Sequence, residues 1–293
     1  AEKLGGVVRN IIPGFRISEE AIDKDVKILE AMGVEIRCST EIHSVEEVKK
    51  DYDYVVLAVG ASTPGVLKLE KGQAVNALEF LAQFKAANGA VELGENVAVI
   101  GGGNTAMDTA RAAKRNKGVK KVSLVYRRTK RYMPADAEEL EMALEDGVEF
   151  AELLSPIKAE NGVLFCKKMV LGELDESGRR GVVETEEVVE VPADTVIAAV
   201  GEKVPGDFYE ANGIALDSRG RVQADQSTCE TSVTGVYAVG DGLYGPATVV
   251  EGIRDGKRAA EAIVGRALAE DLFKEAKEDT VYGRRGVLNE EKE

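Results

Sequence analysis

A chain of 293 residues is long enough for two domains with buried cores. Its formal charge of -14 argues against nucleic acid or an anionic membrane as a partner, because a phosphate surface is repelled unless a local basic patch overcomes the field. No apolar run approaches the roughly 18 residues that cross a bilayer, and no charged-then-apolar leader opens the chain, so the sequence reads as cytoplasmic.

The first residues, AEKLGGVVRN, begin with Ala and look like the middle of a longer protein. SEEAIDKDVKILEAM, residues 18–32, places Ile22, Val26 and Leu29 on one helical face, with Ser18 as N-cap and Gly33 as stop. VEIRCS, residues 34–39, reads as a strand. DYVVLAVGA, Asp53 to Ala61, is a nearly continuous apolar run of the kind covered on both faces. NALEFLAQFKAA reads as a helix. From Asn96 the strand VAVI runs into GGG and a helix, and VKKVSLVYRR supplies the next strand. Beyond Pro134 a helix, ADAEELEMALED, leads to a small antiparallel meander built from VEFAELLS and GVLFCKKMVL and turned by DESGRRG. DTVIAAVG, Asp194 to Gly201, is a second buried strand ending in glycine, and GVYAVGDG precedes a helix from about Ala247 to Ile263. The charged tail from Arg266 reads as a peripheral helix with a loose end. Strands alternating with helices place the chain in the α/β class with parallel sheets.

The segment Gly101-Gly102-Gly103-Asn104-Thr105-Ala106 has the G-x-G-x-x-A spacing that cradles a pyrophosphate. Gly101 permits the tight turn, Gly103 lets the phosphates approach the backbone, and Ala106 lets the helix pack on the strand. The helix start then offers free N–H groups to the ligand. The end of the following strand selects the cofactor. An NAD site places an acid there for the ribose hydroxyls, and an NADP site places Arg against the 2′-phosphate. Tyr126-Arg127-Arg128-Thr129-Lys130-Arg131 has no acid, so NADPH is preferred, with Arg127, Arg128 and Arg131 as its partners. A solvated basic loop is the alternative.

No catalytic or metal-binding constellation is visible. The one histidine, His43, lies in the polar stretch TEIHSVEE and reads as a surface residue. Cys38, Cys166 and Cys229 are far apart and form no C-x-x-C, which counts against a disulfide reductase and makes buried structural thiols the expectation. Asp108 and Arg111 read as helix-surface residues, and Glu138-Glu139 and Glu290-Glu291 as solvated.

GGVVRNIIPGFRI, VIGGGNTAMD, LVYRRTKRYMPA, LGELDESGRRG and TGVYAVGDGLYGPATVVEGIRDGKRAAEAI together resemble the small flavoprotein subunit of glutamate synthase and its relatives, which include part of dihydropyrimidine dehydrogenase. The likeness runs over nearly the whole chain. Within it, GVVRNIIPGFRI and KGVKKVSLVYRR look most like a flavoprotein described as a selenate reductase subunit. The resemblance implies a two-dinucleotide-binding-domain flavoprotein fold, with an NADPH domain, 92–203, inserted into an FAD domain, 1–91 and 204–293. It implies hydride exchange between NADPH and FAD, with electrons passing to an iron–sulfur centre or a partner subunit. Asp241 would accept from a ribityl hydroxyl, and the helix start at Ala247, Thr248 and Val249 would turn its amides toward the flavin. Gly60, Gly201 and Gly240, at strand ends, join the expected cofactor contacts. Full-length relatives carry a further G-x-G-x-x-G unit before the LGG segment, and nothing upstream of Leu4 supplies it. The chain is therefore expected to be the C-terminal piece of a larger flavoprotein with an incomplete FAD domain and uncovered strand faces such as VVLAVG. The other reading is a truncated module that binds NADPH but no FAD and has no turnover alone.

Overall fold

The computed structural model describes residues 1–174 and 180–290, with side chains described through residue 270. The chain divides into two compact units, Ala1–Glu41 with Pro64–Gly201, and Ile42–Thr63 with Glu202–Glu293. These divisions fall elsewhere than the 91/92 and 203/204 boundaries read from sequence, because the first 41 residues and 64–91 pack with the glycine-loop segment.

The first unit is built on a five-stranded parallel sheet in the order Val75–Asn76, Thr195–Ala198, Asn96–Ile100, Lys121–Tyr126, Glu149–Glu152. The run NVAVI is apolar throughout because both of its faces are covered. Val97 and Val99, with Val122, Leu124 and Ile197, face a layer that includes Ala106, Met107, Ala110 and Ala113 of the helix Asn104–Arg115. Small alanines let this helix sit close to the sheet. On the opposite face Ala98, Ile100, Val125 and Val196 pack with Leu154, Leu164, Cys166 and Val191 of a three-stranded antiparallel sheet, Leu154–Glu160, Val163–Leu174 and Arg180–Pro192.

VEFAELLS, expected in the antiparallel meander, is instead split. Glu149–Glu152 extends the parallel sheet, and Leu153, at φ 58, turns the chain before Leu154 starts the antiparallel one. The positive φ, costly for a leucine, is what separates the two sheets. Of the turn DESGRRG, residues 175–179 lie outside the described residues.

In the N-terminal segment the helix Glu19–Ala31 begins where expected, with Ser18 Oγ accepting from Ala21 N at 3.2 Å, and ends before Gly33 at φ 82. Of its apolar face only Ile22 is buried, and Leu29 is 41% exposed. Residues 34–39 form no strand, with Ser39 N bonded to Ala1 O at 2.8 Å.

The second unit holds a two-stranded parallel sheet, Val55–Leu57 beside Val236–Ala238. The expected long buried strand through Ala61 is thus only three residues, and Val56 is 45% exposed, because among the described residues Val236–Ala238 is its one strand partner. Its core gathers Leu57, Tyr209, Ile214, Cys229, Tyr237 and Ala259. The last helix, Val249–Glu290, begins two residues later than expected and continues through the charged tail; the side chain of Glu290, and Glu291, lie outside what is described. Among the described residues no helix is long and apolar enough to cross a membrane.

Candidate functional site

The parallel strands of the first unit end together, and the glycine loop leaves the end of Asn96–Ile100. Gly101, at φ 154, lies against the backbone of the neighbouring strand: a Cβ there would be 2.3 Å from Ala199 O. At Gly102 a Cβ would be 2.5 Å from the Tyr126 ring. Gly103 differs from both. Its φ of -96 suits any residue, and a Cβ would meet nothing within 4 Å. Nothing in the first unit demands a glycine there, whereas a ligand on the backbone would.

Gly103 is the N-cap of Asn104–Arg115 and offers no side chain to cap it. Among the described residues no hydrogen bond uses the amides of Gly102, Gly103, Asn104 or Thr105. These groups and the helix dipole make a site for an anion. The Asn104 side chain is drawn sideways into a reciprocal pair with Asp136: Asn104 Nδ2 donates to Asp136 Oδ2 at 3.2 Å, and Asp136 N donates to Asn104 Oδ1 at 3.1 Å.

The basic loop is fastened to the same place. Tyr126, which ends the strand and covers Gly102, donates its hydroxyl to Tyr132 O at 2.8 Å, and Ala135 N donates to Gly102 O at 3.0 Å. Within the loop Lys130 N donates to Glu152 Oε2 at 3.1 Å. Arg127 and Arg131 are exposed, with Arg131 6.0 Å from the Tyr132 ring centroid. Arg128 is half-buried and gives its Nε to Arg180 O at 2.9 Å, so this guanidinium is partly engaged by the antiparallel sheet. Gly201 follows the strand Thr195–Ala198 at φ 98, and its carbonyl accepts from Gly65 N at 2.7 Å.

Asp108 and Arg111 are buried, at 8% and 9% exposure, contrary to their reading as surface residues. The segment Pro13–Ile17 covers them. Arg16 holds both oxygens of Glu139 at 2.6 Å, and its Nε lies 3.1 Å from Asp108 Oδ1, though off the hydrogen-bonding direction. Phe15 lies against the guanidinium groups of Arg111 and Arg115, 5.1 and 4.4 Å from its centroid. Both arginines bind Asp146, through Arg111 Nε at 2.7 Å and the Arg115 fork. Burial raises the Asp108 carboxyl to about 6; Arg16 and Arg111 oppose the shift, and Glu139 adds to it. Glu139 is consequently not the solvated acid expected. No local pattern flags Arg16, since its partners are about a hundred residues away.

In the second unit the flavin-type loop is folded onto itself. Gly240 adopts φ 61. Asp241 Oδ1 accepts from Ala247 N at 3.0 Å, and burial raises its carboxyl, with Ala247 opposing. Thr248 and Glu251 form a reciprocal cap: Thr248 N donates to Glu251 Oε2 at 2.9 Å, and Glu251 N to Thr248 Oγ1 at 3.3 Å. Two of the amides expected to face a flavin, those of Ala247 and Thr248, are thus occupied by side chains; that of Val249 has no bond among the described residues. Gly60, at φ 73, lies beside Gly242, with its amide 3.6 Å from where a Gly242 Cβ would be. Cys166 and Cys229 are buried, as structural thiols should be, but Cys38 is exposed. Burial raises the Cys166 thiol to about 12. His43 is exposed.

YgfK of Escherichia coli O157:H7 is 42% identical to this chain over 268 residues, which cover 89% of the chain and 26% of YgfK. The glutamate synthase [NADPH] small chain of Escherichia coli K12 is 35% identical, covering 89% of this chain and 61% of that one. The chain thus spans about a quarter of the first relative and three-fifths of the second. In fold it is similar to FprA from Mycobacterium tuberculosis in complex with NADPH, with a TM-score of 0.71 at 20% identity, covering 91% of this chain and 76% of that one. Residues 15–256 match the pattern of a single family, and the chain is a member of it: pyridine nucleotide-disulphide oxidoreductase.

Proposed function

We propose that the chain is an NADPH-dependent flavoprotein oxidoreductase module, in which NADP(H) binds at the glycine loop of the first unit and FAD at the Gly240–Val249 loop of the second. The observation that carries the reading is that the basic loop begins and ends on Gly102, through the Tyr126 ring and the Ala135 amide. An adenosine 2′-phosphate would lie within that loop while the pyrophosphate lies on the free amides of Gly102–Thr105. Arg127 and Arg131 would hold the 2′-phosphate, with Arg128 adding the N–H groups that Arg180 leaves free. On the flavin side the second oxygen of Asp241 and the backbone at Gly60 and Gly240 are the groups on offer; Gly201 lies in the first unit and would serve the cofactor there.

The cofactor pair supplies the redox chemistry, a hydride exchange between nicotinamide and flavin rings. The protein supplies placement and electrostatics, and no titrating side chain is required of it. Electrons would leave to an iron–sulfur centre or a partner subunit, in keeping with a relative named as a small chain. The setting would be cytoplasmic. The segments GVVRNIIPGFRI and KGVKKVSLVYRR support placement beside the selenate reductase flavoprotein within the glutamate synthase-like group.

Replacing Arg127, Arg128 and Arg131 with Ala tests the phosphate assignment, since each charge-assisted bond lost is worth about 1.5–3 kcal/mol. The dissociation constant for NADPH should rise at least about tenfold while that for NADH barely moves. Equal losses for both nucleotides refute it.

One observation favours the second reading, a module that binds NADPH but no FAD: Asp241 and Glu251 already occupy the amides of Ala247 and Thr248. Visible flavin absorbance in the purified chain, bleached by NADPH, separates the two.

A further inference from the structure

We propose that Arg16 is a positioning residue for the nucleotide site: it bolts together the N-terminal halves of the two helices, Asn104–Arg115 and Ala137–Glu145, whose starts border the glycine loop. The inference rests on the reading that NADPH binds at that loop. Asp108 belongs to one helix and Glu139 to the other. The side chains of both are largely shielded, at 12% and 13% exposure, and Arg16 stands between them, holding Glu139 at 2.6 Å and Asp108 at 3.1 Å. One turn away the starts of the same two helices are joined by the reciprocal pair of Asn104, first residue of one, and Asp136, N-cap of the other.

The bolt is electrostatic. Two shielded carboxylates facing each other repel strongly unless a cation lies between them. The charged groups around Asp108 are Arg16, Glu139 and Arg111, and Arg111 is already committed to Asp146. Asp136 also faces Arg16. Without Arg16, Asp108 and Glu139 would push the helix starts apart and carry Asn104 and the amides of Gly103–Thr105 out of register with the basic loop, which returns to Gly102 through Ala135. Phe15, packed against Arg111 and Arg115, anchors the segment that delivers Arg16.

The signature is a charge rescue. Arg16→Ala should raise the NADPH dissociation constant about tenfold at pH 8, read by nicotinamide fluorescence titration, with a smaller loss at about pH 6, where Asp108 takes up a proton. Adding Asp108→Asn to Arg16→Ala should restore affinity to within about threefold of wild type at both pH values. Arg16→Lys should fall between, since an ammonium keeps the charge without the fork. If Arg16→Ala does not fold, the same comparison is made with Arg16→Lys and the double variant. An Arg16→Ala affinity within about twofold of wild type overturns the proposal, as does a loss independent of pH that Asp108→Asn leaves unchanged. Absence of NADPH binding by the wild-type chain overturns the nucleotide reading itself, and the proposal with it.

Discussion

The Tyr126 ring occupies the space that a side chain on Gly102 would need, with its Cε2 2.5 Å from the Cβ position. The same tyrosine bonds Tyr132 O and so closes the basic loop. Tyr126→Phe keeps the ring and removes the bond. The expected outcome is a stability loss of about 1 kcal/mol in chemical denaturation. Affinity for NADPH should also drop more than affinity for NADH, because the loop proposed to grip the 2′-phosphate would be loosened. A variant that weakens both nucleotides alike would detach the loop from the phosphate.

Gly101 and Gly103 separate fold from function. Gly101→Ala places a methyl against Ala199 O and forces a left-handed φ on alanine, so it should destabilise the first unit by about 2–3 kcal/mol. Gly103→Ala meets open space at an ordinary φ, and its melting temperature should equal or exceed that of wild type. Its NADPH affinity should nonetheless fall at least about tenfold, since the methyl stands where the pyrophosphate would lie. A Gly103→Ala chain with unchanged affinity removes the phosphate from that backbone.

Asp108 should govern part of the pH dependence of stability. Its carboxyl lies at about 6 in the fold against 3.8 ordinarily, raised first by burial. Stability gained from the proton is therefore complete below the ordinary value and lost as pH rises through about 6. Asp108→Asn should flatten the stability profile between those limits and raise stability at neutral pH by at most about 3 kcal/mol. Denaturant melts across that window decide it; an unchanged slope would mean that Asp108 is not the titrating group.

The three thiols should differ sharply in reactivity. Cys38 is exposed, whereas Cys166 is buried and its thiol is held up at about 12. In the native protein a thiol reagent should modify Cys38 promptly and leave Cys166 and Cys229 untouched until unfolding. Rapid native modification of Cys166 would contradict the packing between its two sheets.

The glycine loop, with its strand and helix, was legible in the sequence because it is local. An apolar strand, three glycines and a helix start lie within about a dozen residues, and the basic loop follows the very next strand. What escaped was long-range. Charges at Asp108 and Arg111 read as a solvated helix face, yet Phe15 and Arg16 come from the other end of the unit to bury them. DYVVLAVGA has the composition of a long covered strand, but a strand lasts only as far as a partner pairs with it, here three residues. VEFAELLS was misjudged at a single backbone angle, that of Leu153, which apolar patterning does not encode. Around Asp241 the motif located the loop, while the bond from Ala247 N that engages one oxygen of the carboxylate lies in side-chain geometry alone.

The contact between Gly101 and Ala199 gives the first unit a mechanical property. Thr195–Ala198 is also the strand along which the polypeptide leaves that unit, ending four residues before Glu202. A shift of the Ala199 backbone would therefore be transmitted to the floor of the glycine turn, although it arises on a different strand.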